Sequence, residues 1–276
     1  MQKENRNSRK GAAKETLEIL EQGFYINAKD QKIDIKEAQE FTVANSMLIQ
    51  PDELFDIAPE GKYKTEILLE NCTTLEACAS LARQTEDVFC LNFASAKNPG
   101  GGFLGGAQAQ EESLARSSGL YPAINQMREM YDTNRKQKSC LYLDYMIYSP
   151  RVSFFRKDNN SLTDDFYVAS VLTAPAVNAG VVKSKEQRNV PKIRPTMERR
   201  IDKVLSIAYQ KGYETLVLGA WGCGVFQNDP HEIADIFASQ LKSGGKFENV
   251  FKTVFFAVLD RKDRGVYRAF AEHFNS

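Results

Sequence analysis

Two adjacent carboxylates, Glu111 and Glu112, follow a stretch with five glycines in seven positions, Gly100 to Gly106. Glycine lets a backbone approach a ligand closely and take positive φ. A carboxylate beside a loop that can hold an anion is a candidate general acid or base, because nearby phosphate charge and partial burial both raise its pKa. The pair also has a plain structural account, since the helix dipole favours acidic residues in a first turn. A second loop, Gly219-Ala220-Trp221-Gly222-Cys223-Gly224-Val225-Phe226, has the same character. Exposed amides in such a turn form an anion-binding nest that a diphosphate would satisfy. Either loop alone is accounted for as a tight turn; two in one chain, one of them running into an acid pair, favour chemistry. Gly100 to Gly105 also fit G-x-G-x-x-G. A dinucleotide fold would then need a strand ending in an acidic residue about 20 residues onward. The stretch from Gln110 through Tyr131 is helical and irregular in pattern, which speaks against it.

Each loop follows a strand-like run, Val88–Phe93 before the first and Thr215–Leu218 before the second. In α/β sheets ligands bind beyond the carboxyl ends of strands, so these are the expected places for a site. Around them the pattern alternates: an extended run from Lys64 to Leu69, a helix from Thr74, strand Phe166–Leu172, helix Met197–Ala208, helix Pro230–Leu241 and strand Val254–Leu259. Strands alternating with helices predict a sheet covered on both faces. Asp229-Pro230-His231-Glu232 is a helix-start signature, with Asp as cap, Pro in the first turn and Glu three residues on. Further upstream, Leu17, Leu20 and Phe24 predict an amphipathic helix over Ala12–Phe24, followed by a hairpin over Tyr25–Ile35 and a second helix near Glu37 to Leu48. Their apolar faces need a partner, so residues 1–60 are expected to form a mainly helical extension packed on a core of residues 61–276.

With 42% hydrophobic and 26% charged residues, the chain of 276 residues can bury a sizeable core. Its 36 basic and 36 acidic residues cancel, so no global positive field gathers nucleic-acid backbones. The five cysteines, Cys72, Cys78, Cys90, Cys140 and Cys223, lack disulfide-framework or zinc spacing and predict free thiols in a reducing, cytoplasmic compartment. Met1 to Lys10 lacks the apolar core of a secretory signal, and Val168 to Val182 is too polar and short for a membrane span. No cofactor is called for, and no His, Cys or Asp cluster has metal-ligand spacing; His231 and His273 are read as surface residues. A monomer is expected.

Asn98-Pro99-Gly100-Gly101-Gly102, seven residues and then Gln110-Glu111-Glu112 resembles the GGG-x6–8-QEE signature of the microbial-type poly(ADP-ribose) glycohydrolases. The likeness extends to Lys14–Leu20, which resembles the family's N-terminal helix, to Thr173–Asn178 at a central strand end, and to Gly219–Phe226 as its diphosphate loop. The resemblance implies a macrodomain, a three-layer α/β/α fold with a mixed central sheet, binding ADP-ribose at the strand ends. It implies Glu112 as the catalytic glutamate and Glu111 as a neighbour that hydrogen-bonds the ribose at the scissile side. Asn98 then holds distal ribose hydroxyls, Gly100, Gly101 and Gly102 form the catalytic loop, and Gln110 is a further substrate-binding residue. Gly222, Cys223, Gly224 and Val225 cradle the diphosphate, and Phe226 buttresses the terminal ribose.

Hydrolysis of a ribose–ribose bond passes through an oxocarbenium-like state, and a proton must reach the departing oxygen. The resemblance thus implies an enzyme acting on poly(ADP-ribose) or ADP-ribosylated proteins, mainly from chain ends, with ADP-ribose as product. Two alternatives share the cleft: a module that only binds ADP-ribose, and a hydrolase for mono-ADP-ribosylated side chains. Mere binding has no use for a carboxylate beside the leaving oxygen, so Glu112 separates the first alternative from the enzyme.

Overall fold

The protein is described by a computed structural model that covers residues 5–53, 55, 57–85 and 87–274. It opens with α1 (Arg6–Gln22), the hairpin of β1 (Phe24–Ile26) and β2 (Lys32–Asp34), α2 (Lys36–Asn45) and β3 (Met47–Ile49). Then come β4 (Glu66–Glu70), α3 (Thr74–Leu81), β5 (Val88–Ala94), α4 (Gln110–Ser117), α5 (Leu120–Asn125) and α6 (Arg128–Lys136). A long hairpin of β6 (Met146–Arg156) and β7 (Leu162–Pro175) leads to α7 (Ala179–Lys185), α8 (Ile193–Gln210), β8 (Thr215–Leu218), α9 (Pro230–Leu241), β9 (Thr253–Ala257) and α10 (Val266–Phe274).

Seven strands form one sheet in the order β3-β6-β7-β5-β8-β9-β4. β7, β5, β8, β9 and β4 pair in parallel, whereas β6 pairs antiparallel with β7 and β3 antiparallel with β6. The strand period of two divides the core between the faces. Phe89, Leu91, Leu216 and Phe256 pack with Met197, Ile201, Leu205, Ile233 and Phe237 of α8 and α9. Val88, Cys90, Val217 and Phe255 pack on the opposite side with Leu75 and Cys78 of α3, Leu114 of α4 and Ile124 of α5. The expected three-layer α/β/α architecture with a mixed sheet is what the chain adopts. β5 lies at its centre, with six of its seven residues buried, Val88 through Asn92 and Ala94.

Local chemistry explains the element ends. Thr73 and Glu76 form a reciprocal capping box on α3, with bonds of 3.0 and 2.8 Å, and Asp229 caps α9 by accepting from the His231 amide at 2.9 Å. α1 begins earlier than Ala12 because Asn5 caps it, accepting from the Ser8 amide at 2.9 Å. It ends where Gly23 takes φ of 81° and donates to the Ile19 carbonyl at 2.8 Å. The helix expected to reach Leu48 stops at Asn45, and Met47–Ile49 pair with Met146–Tyr148 as the sheet's edge strand. The segment before residue 60 thus lends a strand to the main sheet. Its helices are covered as well: Ile19, Tyr25 and Ile35 bury against Phe155, and Ala13 against Phe103 and Ala115. Among the described residues no helix is long and apolar enough to cross a membrane.

Candidate active site

The carboxyl end of β5 and the first turn of α4 are fastened together by Gln110. Its Oε1 accepts from the Phe93 amide at 2.8 Å, while Nε2 donates to the Leu91 carbonyl at 2.8 Å and Thr74 Oγ1 at 3.3 Å. The carboxamide therefore faces β5 and the start of α3. This clamp sets Glu111 and Glu112 at the strand end. Glu111 is buried, 3% exposed, and its carboxyl receives the Ser95 amide at 2.7 Å and Asn92 Nδ2 at 3.5 Å. Burial outweighs these donors and pushes its pKa up to about 8, so it holds a proton at neutral pH. Glu112 is half-buried and its Oε1 accepts from the Gly102 amide at 3.0 Å.

The glycine loop lies directly on the acid pair. Gly100 and Gly101 have φ of 69° and 59°. A β-carbon on Gly101 would overlap Glu112 Oε1 and stand 3.2 Å from Glu111 Oε2. Asn98 is exposed in side chain, and its carbonyl closes the turn by accepting from the Gly101 amide at 3.0 Å. Behind the loop, α1 supplies two guanidinium bonds, Arg6 Nε to the Gly105 carbonyl and Arg9 Nε to the Gly106 carbonyl, both 2.9 Å. Arg116 on α4 donates to the Ala107 and Glu112 carbonyls, and Thr16 of α1 donates to the Arg116 carbonyl at 2.6 Å. Loop, α1 and α4 are thus one braced unit.

The second loop leaves β8 on the neighbouring strand. Trp221 is fully buried and anchors it, donating Nε1 to the Ala174 carbonyl of β7 at 3.1 Å. Gly222, with φ of 75°, packs where a β-carbon would come 2.5 Å from Asn228 Nδ2 and 2.6 Å from Ala176 Cβ. Asn228 fixes the turn by donating to the Val177 and Gly222 carbonyls at 2.7 and 3.1 Å. Among the described residues the amides of Gly222, Gly224, Val225 and Phe226 donate to no backbone carbonyl. Such a rim of unpaired amides is of the kind that can bind an anion. Val225 is 78% exposed beside them, while Cys223 turns its thiol into the core, where burial raises its pKa.

Between the loops stands a residue with no sequence signal, Tyr142. It takes φ of 60°, its ring lies 6.0 Å from that of half-buried Phe226, and Lys97 Nζ sits 5.7 Å from its centroid. Arg200 holds this conformation: fully buried, it pairs with Asp144 at 2.7 Å and donates to the Leu141 and Tyr142 carbonyls at 2.7 and 3.0 Å. Asn92 did have a signal, as the one amide side chain in an otherwise apolar central strand; it links Glu111 to Thr173 of β7. Among the described residues no group of three or more His, Cys, Asp or Glu is placed to hold a metal ion.

A mixed sheet covered on both faces, with a nest of free amides and a braced carboxyl pair at the ends of adjacent parallel strands, defines a macrodomain-type protein. The comparisons narrow the class. The profile of the microbial-type PARG catalytic domain matches residues 13–157. The crystal structure of poly(ADP-ribose) glycohydrolase (PARG) from Thermomonospora curvata is 41% identical over 97% of this chain and 100% of its own, with a TM-score of 0.93. The same enzyme bound to the inhibitor ADP-HPD matches at 42% identity, the same shares and a TM-score of 0.91. The Deinococcus radiodurans PARG in complex with ADP-ribose is 38% identical over 86% of this chain and 97% of its own, with a TM-score of 0.81. No curated protein sequence matches the chain. The chain belongs to the microbial-type PARG family, glycosidases acting on poly(ADP-ribose).

Proposed function

We propose that this protein hydrolyses the ribose–ribose O-glycosidic bonds of poly(ADP-ribose), mainly at chain ends, with Glu112 as its general acid and base. The observation that carries this reading is the Glu112 carboxyl, fixed by the Gly102 amide at 3.0 Å and half-open beside a glycine loop that touches both acids. The terminal ADP-ribose unit lies across the two loops, its diphosphate on the free amides from Gly222 to Phe226. Its reacting ribose rests on Gly100 to Gly102, with Asn98 at the ribose hydroxyls and Phe226 against the ring. Relatives solved with ADP-ribose and with ADP-HPD support a ligand of this kind.

Glu112, as general acid, donates a proton to the 2′-oxygen of the leaving ribose as the C1″–O bond breaks. The cationic sugar that results is stabilised by the nearby diphosphate. Glu112, now a carboxylate, takes a proton from water as it attacks C1″, which restores the acid. Glu111, neutral in its buried niche, hydrogen-bonds the ribose and adds no second charge beside Glu112. Gln110 acts as the clamp of α4 on β5 rather than as a substrate contact, and Cys223, whose amide donates to the Ala220 carbonyl at 3.1 Å, shapes the turn without adding a donor to it. Residues 1–60 serve as an extension that braces the core of residues 61–276 and lends it β3.

The test is Glu112→Gln. It is expected to keep ADP-ribose affinity while lowering turnover of labelled polymer by about two to four powers of ten, the usual worth of acid–base catalysis. Weakened ADP-ribose binding with turnover preserved at saturation would remove Glu112 from the chemistry.

A further inference from the structure

We infer that a basic groove beside the cleft is a second, non-catalytic subsite that holds a diphosphate of a polymer unit adjoining the one being cleaved. The inference rests on the hydrolytic reading of the cleft. The groove has a volume of about 520 Å³, within the range of ligand sites, and Lys138, Lys185 and Arg188 line it. Lys136, Lys183 and Lys192 are exposed on the same segments, the end of α6 and the stretch from α7 to the start of α8. None of these six is ion-paired among the described residues. In a chain whose 36 basic and 36 acidic residues cancel, such a local excess is a matter of placement.

Cations at helix C-termini offset the helix dipole, and α6 and α7 both end here. Two helix ends, each equivalent to about half a charge, leave most of six cations unaccounted for. The groove has one carboxylate, Glu186, and it is turned to a structural use. It accepts from Ser139 Oγ at 2.6 Å, the Cys140 amide at 2.7 Å and Asn189 Nδ2 at 2.8 Å. These bonds hold its pKa below the usual carboxylate range despite partial desolvation. They also fix the side chain of Ser139, which lines the groove, and the backbone of Cys140 beside it.

The wall at Ser139 is shared with the cleft. The Cys140 carbonyl accepts from the amide of Asn178, the cap of α7, at 3.0 Å, and Tyr142, two residues on, presents its ring to Phe226 and Lys97. Lys97 on one side of this loop and Lys138, Lys185 and Arg188 on the other place cations on both sides of a single short wall. A substrate that carries a diphosphate in every repeating unit matches that layout: one unit occupies the amide nest, and the next passes outside the cleft, around the end of the wall, to the groove.

Binding is measured with Glu112→Gln enzyme, so that polymer is not consumed, and with the same enzyme carrying Lys138→Ala, Lys185→Ala and Arg188→Ala. Free ADP-ribose is expected to bind both equally. Long polymer is expected to bind the parent about tenfold more tightly than the triple variant at low salt, and the gap to shrink above about 0.15 M ionic strength as charges are screened. In otherwise native enzyme, the triple variant should raise KM for long chains with kcat unchanged. Equal polymer affinity of parent and variant, with ADP-ribose still bound, overturns the groove and leaves the cleft intact. Loss of ADP-ribose binding by the triple variant also overturns it, since the effect would then act through the cleft. Single-stranded RNA that displaces long polymer as well as unlabelled polymer does would mark a general polyanion contact and likewise refute the subsite. Failure of the parent to bind either ADP-ribose or polymer is the outcome that instead brings down the hydrolytic reading, and the groove with it.

Discussion

The α-carbon of Gly101 lies against the Glu112 carboxyl: a β-carbon there would stand 2.9 Å from Glu112 Cδ and overlap its Oε1. Gly101 also has φ of 59°, in the left-handed region that disfavours side chains. The clashing atom is the end of a flexible side chain, so Gly101→Ala is accommodated chiefly by swinging Glu112 away. Activity on polymer is expected to fall by about two powers of ten, the effect of a misplaced catalytic group, with about 1 kcal/mol lost in stability. Turnover and thermal unfolding measured side by side check this. A variant that unfolds but retains specific activity at low temperature would show that the close approach has no catalytic purpose.

Glu111 makes stability depend on pH. Its folded pKa of about 8 lies above the unfolded value of 4.5, because burial disfavours the charged form. Below about 4.5 both states hold the proton and its contribution is fully present; between 4.5 and 8 only the folded state holds it, so the contribution declines as pH rises and is lost above 8. Glu111→Gln removes this titration. The difference in Tm between wild type and variant should therefore move against wild type from pH 5 to pH 8 and then level off. A difference that is flat over that range, or that moves in favour of wild type, contradicts a buried neutral acid.

Much of this arrangement is legible in the sequence, and the exceptions have physical causes. Glycine spacing and the acid pair mark the site because backbone conformation and charge are carried by residue type. The capped start of α9 and the strands β5 and β8 are visible for the same reason. β6 is not: Pro150 within it argues against a central strand. In the fold it is accommodated at a register shift between Ser149 and Val152, where Arg151 takes φ of 49°. β3 reads as the end of a helix because three apolar residues fit either period. Tyr142 is invisible because its place beside Phe226 is imposed by Arg200 and Asp144, residues 58 and 2 positions away. Gln110 shows the converse. Its place in the signature resembles a substrate contact, yet its amide is occupied by the backbone of β5.

The bond from Arg9 to the Gly106 carbonyl spans 97 residues and joins α1 to the far end of the first glycine loop. Gly106 has φ of 72°, and a β-carbon on it would come 3.0 Å from Lys10 Cγ, so the loop seats directly on the helix. Arg9→Ala removes a charge-assisted donor and is expected to lower stability by about 1–2 kcal/mol. It should also lower kcat severalfold while leaving ADP-ribose affinity unchanged, because the amide nest hangs from β8 and not from α1. Arg9→Lys should recover part of the loss. If Arg9→Ala lowers stability without changing kcat at a temperature where it is fully folded, α1 is a support of the fold alone.

The proposed attack from chain ends draws its support from the walls of the cleft. Phe226 and Tyr142, with ring centroids 6.0 Å apart, stand together on one side of the cleft, and the backbone of Tyr142 is pinned there by a fully buried guanidinium. On the other side the glycine loop is backed by α1 through Arg6 and Arg9. A wall held by buried hydrogen bonds does not open readily, so on this reading a polymer is not expected to be threaded through with units continuing in both directions. The unit in the nest is then the last of its chain, and each cycle releases one ADP-ribose. The final protein-linked unit should remain, because its acceptor lacks the ribose 2′-oxygen that Glu112 protonates. A time course on long, end-labelled polymer should show monomeric ADP-ribose from the first points while the remaining chains shorten gradually. Phe226→Ala, by lowering the wall, should introduce some internal cleavage. Free oligomers appearing in the wild-type reaction before monomer accumulates would mean that the cleft is open and that end-directed attack does not hold.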